Sequence, residues 1–171
     1  MEWLLKLLKI NLKYMLQVIK AKPNPSGKDR SPKFLTTQSR LGAEWIDIKN
    51  IGSGPASLKD IQIYHIAYKG DEYEWAIAKD FTNLLLPALG LPTGLTIRIH
   101  SGSGPVSILN PEDVSGANRH YFTGKGYIWN NDKIDKPMIY DKAKKVILDQ
   151  TYYEPPITDG AILIRINDKL I

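Results

Sequence analysis

Short runs of alternating apolar and polar residues recur along the chain, and glycine or proline turns separate them. The first clear run lies in Glu44–Pro55, EWIDIKNIGSGP, where the alternation stops at a glycine-proline turn. Such alternation indicates a half-buried strand. Four later runs have the same character: Ile61–Ala67, Leu95–His100, Val146–Thr151 and Ala161–Asn167. Because many short strands between Gly/Pro turns are typical of a sandwich or barrel, the pattern predicts an all-β body after Arg40.

The first of these strands also predicts which side chains face the core. Successive side chains of a strand point to opposite faces, so Ile46 and Ile48 are expected to point inward. The other three, Trp45, Asp47 and Lys49, are then expected to point outward. An outward Trp45 is a candidate contact residue, and the alternative is a tryptophan that covers the rim of the core. On this interpretation, replacing Asp47 with alanine should be nearly neutral.

The first 20 residues follow a helical period instead of an alternating one. Their polar residues recur every three or four positions, which is one stripe of a helix: Glu2, Lys6, Lys9, Lys13, Gln17 and Lys20. The pattern predicts a basic amphipathic helix, with residues 1–14 as an arm outside the sandwich. Such an arm can lie on an anionic membrane surface, bind a partner's groove or dock on its own domain. The candidate contact residues of the arm are Trp3, Lys6, Lys9 and Lys13.

The C-terminal residues 157–171 follow the predicted sandwich, residues 15–156, as one extra strand. Its alternation places three isoleucines on one face, namely Ile162, Ile164 and Ile166, and we treat them as candidate interaction residues. Leu163 and Arg165 lie on the opposite face. A strand that is apolar on both faces is rarely left uncovered. We therefore expect it to join an edge of its own sandwich or to complete the sheet of a neighbouring chain.

Charge is divided unevenly between the two ends of the chain. The 171 residues carry a net charge of +5. Residues 1–40 hold nine Lys/Arg against two Asp/Glu, a balance of +7, so the remaining residues have a balance of −2. Because phosphate binding needs clustered Lys/Arg on the domain itself, nucleic acid is not the expected partner of the body. The expected partners are another protein chain or a second copy, with peripheral membrane contact through the arm.

Composition excludes several other classes of protein. The chain has no cysteine, which rules out disulfides, thiolate zinc sites and thiol catalysis. It also lacks an uncharged apolar run of about 18 residues that could cross a bilayer. Lysines interrupt the N-terminal apolar stretch and no small-residue cleavage site follows it, so a cytoplasmic location is expected, with secretion or surface association as the alternative.

The residues that could carry chemistry form no recognisable catalytic or metal motif. His65, His100 and His120 are the only imidazoles, and their spacing fits no metal-binding pattern. A nuclease-like pair of His120 with Asn130-Asn131 would need a metal-holding helix that the body does not predict. We therefore expect a protein that is not an enzyme, with no catalytic residue, cofactor or metal.

Two carboxylate groups and two glycine loops are interpreted as turns. Asp71, Glu72 and Glu74 follow each other in a predicted loop, while Asp132 and Asp135 bracket a predicted hairpin. Either group could offer oxygen ligands to calcium, but neither has the spacing of an EF-hand loop, so solvated turns are expected. The loops GSGP and SGSGP lack the Lys-Ser/Thr of a phosphate-binding loop and are expected to be hairpin turns. Asn50 is expected to bond the backbone of the first turn.

Four segments in this order resemble the lamin tail domain family. Glu44–Ile63, EWIDIKNIGSGPASLKDIQI, resembles the entry strand and turn, and Lys22–Asp29, KPNPSGKD, looks like the preceding loop of prokaryotic members. Leu91–Gly104 is similar to the family's Pro/Gly turn and next strand, and Tyr127–Tyr153 to its closing section. The chain departs from the family at KDIQIYH, which lacks a frequent Gly-Trp pair. It also departs at two segments that look like insertions, Tyr68–Trp75 and Val106–Tyr121.

The resemblance covers roughly Met15–Pro156 and implies a fold and a role. The family has an immunoglobulin-like β-sandwich, and its members act as non-enzymatic binding and tethering domains. The function implied is therefore a structural module for protein–protein assembly or tethering, through the sandwich and the basic arm. The alternative is an accessory domain of a nuclease or hydrolase system that contacts nucleic acid.

Overall fold

Ten strands and three short helices form in the residues that the computed structural model describes, which are 15–26, 37–82 and 90–171. The strands are β1 Leu16–Lys22, β2 Trp45–Asn50, β3 Ile61–Lys69, β4 Glu72–Asp80, β5 Thr96–His100, β6 Arg119–Phe122, β7 Met138–Asp141, β8 Val146–Gln150, β9 Leu163–Ile166 and β10 Lys169–Leu170. The helices are α1 Gln38–Gly42, the 3-10 turn Val106–Ile108, and α2 Pro111–Val114. This mostly-β content confirms the prediction of an all-β body.

The strands form two sheets. The large sheet has the order β10-β9-β1-β2-β5-β6, and the small sheet has the order β4-β3-β7-β8. β5 and β6 pair in parallel, and the other pairings between these strands are antiparallel. Each of the five runs predicted from alternation coincides with one strand: four contain β2, β5, β8 and β9, and the run Ile61–Ala67 lies within the longer β3.

The core lies between the two sheets and is built from inward-facing aliphatic side chains. Ile46 and Ile48 are fully buried in it, as predicted from the alternation. Their neighbours in the core include Val18, Ile63, Ile97, Ile99 and Ile139. Because apolar burial is the main favourable term in folding, this layer supplies most of the stability of the sandwich.

Asn50 holds the turn after β2 as the sequence predicts, but the turn leads from one sheet to the other and is not the expected hairpin turn. The Asn50 side-chain oxygen accepts the Gly52 N–H at 2.9 Å, and its amide donates to the Gly54 and Leu91 carbonyls at 2.8 and 2.7 Å. Asn50 is fully buried. It therefore bonds turn backbone, and it also ties β2 to the segment that leads into β5.

The helical prediction is wrong for residues 16–20, because Leu16–Lys22 is strand β1. β1 lies between β2 and β9 in the large sheet. Its register shifts between Val18 and Lys20, so one extra residue interrupts the alternation of faces. This bulge makes the polar spacing resemble a helical period. Residues 1–14, including Trp3, Lys6, Lys9 and Lys13, lie outside the described residues.

The outward face of β2 is covered at Trp45 and Asp47, contrary to the sequence prediction, whereas Lys49 on the same face is partly exposed. Trp45 and Asp47 are each only 1% exposed. Alternation distinguishes the two faces of a strand, but it does not say whether a second layer covers the outer one. Here α1 and the segment that carries α2 cover it, through hydrogen bonds from His100 to Gly42 and from Trp45 to Asp113. α2 belongs to Val106–Tyr121, one of the two segments that look like insertions in the sequence.

The other apparent insertion is part of a long hairpin. Tyr68–Trp75 contains the end of β3, a turn at Gly70 and the start of β4. Glu72 and Glu74 therefore lie on a strand and not in a loop. Charged residues are depleted in strands, so their presence in β4 hid it from sequence analysis.

Replacing Asp47 with alanine should destabilise the protein strongly, in contrast to the sequence expectation. The substitution leaves the buried guanidinium of Arg98 without its carboxylate partner. Removal of one member of a buried pair costs about 3–5 kcal/mol. Lys49→Ala on the same outer face of β2 is the control and should change the free energy of unfolding by less than about 0.5 kcal/mol. Chemical denaturation measures both, and equal stabilities would contradict the buried pair.

Candidate functional site

Four isoleucines form an exposed apolar surface at one side of the large sheet, which we call the isoleucine face. They are Ile162, Ile164, Ile166 and Ile171, and they are 45%, 53%, 55% and 58% exposed. Ile164 and Ile171 exchange backbone hydrogen bonds of 2.9 and 3.1 Å, which makes them direct cross-strand neighbours on one face. The sequence predicts that the first three share a face. It does not predict that Ile171 joins them, because a turn separates Ile171 from the alternating run.

Strand β9 joins the sheet of its own chain, which confirms one of the two alternatives for the C-terminal strand. Lys20 of β1 lies opposite Ile164, and Ala21 lies opposite Leu163. Leu163 is only 9% exposed and contributes to the core. The isoleucines point away from this core, and the residues that the structure describes leave them about half exposed.

An ion pair fixes β9 to the rest of the sandwich. Arg165 Nη1 donates to Asp149 Oδ2 at 2.6 Å and to the Val18 carbonyl at 3.1 Å. The Val18 N–H donates to the same Asp149 oxygen at 2.8 Å. Both charged side chains are about nine-tenths buried. The pair thus satisfies the backbone at the β1 bulge and holds β9 in one position.

The outer face of the large sheet, which points away from the core, carries a buried polar network around Arg98 in its part between β2 and β6. Its Nε and Nη2 donate to the two Asp47 oxygens at 2.7 and 2.8 Å, and its Nη1 donates to the Asp113 carbonyl at 2.9 Å. The guanidinium carbon lies 3.5 Å from the ring centre of Trp45. A bidentate carboxylate and an aromatic face are the partners that suit a buried guanidinium.

Trp45 belongs to this network and is not a contact residue, which corrects the sequence prediction. Its indole N–H donates to Asp113 Oδ1 at 2.9 Å. Lys22 donates to the same oxygen at 2.7 Å and to Glu112 at 2.8 Å. Burial alone would lower the pKa of Lys22, but the hydrogen bonds and charges of Asp113 and Glu112 outweigh burial and raise it. A shallow polar pocket of about 60 Å³ lies beside these groups.

Two histidines that are 20 residues apart meet on the same face. Parallel pairing of β5 with β6 places His100 Nε2 2.9 Å from His120 Nδ1. His100 Nδ1 lies 2.5 Å from the Gly42 carbonyl, so it is the protonated nitrogen of the neutral ring. Burial lowers the pKa of His100 to about 4. Sequence spacing could not find this contact because it depends on strand pairing.

The two histidines serve as a structural link and not as a recognisable metal site. Neutral His100 uses one nitrogen to bond α1 and the other to accept from His120. Within the ranges that the structure describes, no group of three or more His, Cys, Asp or Glu side chains could hold a metal ion. His65 lies elsewhere, at 5.8 Å between ring centres from Trp129.

Two buried carboxylates hold the loop that follows β6. Asp135 is fully buried and accepts the backbone N–H groups of Ile66, Asn130 and Lys136 at 2.8, 3.0 and 2.7 Å. The prediction of a solvated turn is therefore wrong for Asp135. Burial raises its pKa to about 6. The Asn130 amide donates to the Ile66 carbonyl at 2.6 Å, so it also bonds backbone.

Glu44 is the second buried carboxylate and lies just before β2. It accepts hydrogen bonds from the Ser101 hydroxyl and from the Ile128 N–H. Burial raises the pKa of Glu44 to about 8 although these donors act in the opposite direction. Glu44 is therefore mostly protonated at neutral pH, which local sequence cannot predict because its burial depends on residues from distant segments.

Stability should fall as pH rises because of Glu44. Its pKa is about 8 in the folded chain against 4.5 as the ordinary value, so the folded state holds the extra proton between these pH values. The stability that this group contributes is complete below pH 4.5 and is lost as pH rises through 8. Between pH 6 and pH 8 the loss should be about 2 kcal/mol.

Glu44→Gln should remove this loss of stability between pH 6 and pH 8. Comparison of the variant with the unchanged chain isolates the contribution of Glu44. His65 and His100, whose pKa values burial lowers to about 4, affect both proteins equally, as does Asp135, whose pKa burial raises to about 6. Urea unfolding at pH 6, 7 and 8 measures the difference in stability between the two proteins. Parallel stability curves would show that Glu44 does not hold the extra proton.

Across the described ranges, the structure contains no helix that is both long and apolar enough to cross a membrane. A comparison with protein-family models found no match, and a comparison with curated proteins also found none.

Proposed function

We propose that this chain is a non-enzymatic interaction module that joins protein chains through the isoleucine face. The observation that carries the proposal is that four isoleucines, each about half exposed, lie in or directly beside β9 and β10, strands that the chain itself adds to its large sheet. Single exposed apolar residues are normal on protein surfaces, whereas contiguous groups mark contact sites.

The rigidity of β9 supports this role. The Arg165–Asp149 pair and the pairing with β1 hold the strand before any partner arrives. β10 is also tied, because the Leu170 N–H donates to the Tyr152 carbonyl at 2.8 Å. A surface that is already ordered loses little conformational entropy on binding, which favours affinity.

The buried polar network around Arg98 supports a structural role for that part of the large sheet. Arg98, Asp47, Trp45 and Lys22 bond each other or α2, and their side chains are almost fully buried. Groups engaged in this way stabilise the fold and are not presented to a substrate. A non-enzymatic function is consistent with this arrangement.

The resemblance to lamin tail domains leads to the same proposal. We infer an immunoglobulin-like topology for the two-sheet sandwich and a tethering role of the kind that this family performs. Residues 1–14 would supply a second contact element, a basic amphipathic arm for an anionic membrane surface or a partner's groove. The proposed compartment is the cytoplasm.

Ile164→Lys should reduce association without loss of folding. Its side chain is 53% exposed, so the change in unfolding free energy should be below about 1 kcal/mol. A charge at the centre of an apolar contact should weaken binding at least tenfold, because the lysine loses solvation when it is buried. Sedimentation of the purified chain measures self-association, and quantitative co-purification from the native cell measures partner binding.

Two matched variants control this experiment. Ile147→Lys changes an isoleucine of similar exposure, 55%, on β8 of the small sheet and should leave association unchanged. Leu163→Lys changes a buried residue of β9 and should destabilise the fold itself. If Ile164→Lys and Ile147→Lys give the same mass and the same partners as the unchanged chain, the isoleucine face is not the contact surface.

Deletion of residues 1–13 should separate the arm from the fold. The described sandwich begins with Met15, whose carbonyl accepts the Ile51 N–H at 2.8 Å. The truncated chain should keep its melting temperature and lose binding to vesicles that contain anionic lipid, or to a protein partner. A large fall in melting temperature would show instead that the arm docks on its own domain.

A further inference from the structure

The hairpin of β3 and β4 extends past the rest of the small sheet. β7 pairs with β3 only between Ile61 and Tyr64, whereas β4 follows β3 as far as Lys69. β4 is the end strand of this sheet. Among the described strands, none pairs with its outer edge.

The backbone groups that point outward from β4 can be identified. Residues of an antiparallel strand alternately bond the neighbouring strand and point away from it. The Ile77 carbonyl accepts Lys125 Nζ at 2.5 Å on the outer side, which fixes the outward set. The same alternation directs the N–H and C=O groups of Tyr73 and Trp75 outward.

The side chains of this segment divide into an aromatic face and an acidic face. Tyr73 and Trp75 are 58% and 41% exposed and share one face of β4. Glu72 and Glu74 are exposed on the opposite face. The segment therefore offers main-chain donors and acceptors, two aromatic contacts and two negative charges along an edge with which no described strand pairs.

We propose that the outer edge of β4 between Glu72 and Ala76 binds an extended segment of a partner protein by strand addition. The bound segment alternates Lys or Arg with apolar residues. Its basic side chains pair with Glu72 and Glu74, and its apolar side chains pack on Tyr73 and Trp75. Opposite-charge and aromatic cross-strand pairs are those that stabilise neighbouring strands.

Charge decides between such a partner and a second copy of this edge. Pairing of β4 with another β4 would bring glutamates together across the strands, and like charges in that position are unfavourable. Acidic side chains on an exposed edge therefore discourage self-pairing while they attract a basic segment. The far end of β4 is already occupied, since Lys79 Nζ also donates to the Phe122 carbonyl at 2.6 Å.

A synthetic peptide of alternating lysine and valine tests the proposal by calorimetric titration of the full chain. The alternating peptide should bind, whereas a Glu/Val peptide and a peptide with the lysines and valines in separate blocks should not. The double variant Glu72→Lys with Glu74→Lys should weaken binding of the Lys/Val peptide at least about fivefold and should gain binding of the Glu/Val peptide. Equal binding of all three peptides to the unchanged chain would overturn the proposal, as would no binding of any.

A second pair of variants tests the role of the backbone. Trp75→Val keeps the outward N–H and should bind the Lys/Val peptide within about threefold of the unchanged chain, since valine also packs well on a strand. Trp75→Pro removes the outward N–H without taking a donor from the ladder to β3, and should abolish binding. Equal binding by the two variants would show that the peptide does not add as a strand.

The outcome of the peptide titration is independent of the outcome of the association experiment that tests the isoleucine face. β4 lies in the small sheet, whereas the isoleucine face lies on β9 and β10 of the large sheet. Ile164→Lys should therefore bind the Lys/Val peptide like the unchanged chain. Asp168→Lys, on the exposed turn between β9 and β10, is the matched charge control and should also leave peptide binding unchanged.

Discussion

The buried guanidinium of Arg98 constrains the rest of the outer face of the large sheet. A charge that is 2% exposed is tolerated only when its donors are bonded and an opposite charge lies beside it. Asp47 on the neighbouring strand supplies the carboxylate, and the carbonyl of Asp113 supplies a further acceptor from α2. The need to satisfy Arg98 therefore explains why α2 lies on the sheet and why Trp45 is covered.

The same constraint divides the outer face into two parts with different roles. From β2 to β6 the face is closed by α1 and α2, and its polar groups are used internally. At β9 and β10 no described element lies over the sheet, and the side chains on this part of the face include exposed isoleucines instead of buried charged groups. Because a covered polar surface cannot meet a partner, we propose that contact with other chains involves the isoleucine face and the outer edge of β4, with which no described strand pairs.

Sequence alone predicts the layers of this protein better than its exposed surfaces. Alternation identified five strands, the inward orientation of Ile46 and the shared face of Ile164 and its neighbours, since these depend on local periodicity. It failed where distant segments decide the outcome. The bulge in β1 resembled a helical period, and part of the cover over the outer face of β2 comes from α2, which is more than 60 positions away. The contact between His100 and His120 depends on strand pairing, which spacing does not encode.

Methyl NMR of isoleucine-labelled protein with a soluble paramagnetic agent tests the central claim most directly. The methyl signals of Ile164 and Ile171 should weaken at low concentrations of the agent, while those of Ile46 and Ile99 in the core should persist. When the chain associates, the signal of Ile164 should recover and that of Ile147 on β8 should remain weak. A dilute sample in which Ile164 is as protected as Ile46, or an associated sample in which Ile164 stays as exposed as Ile147, would contradict the account.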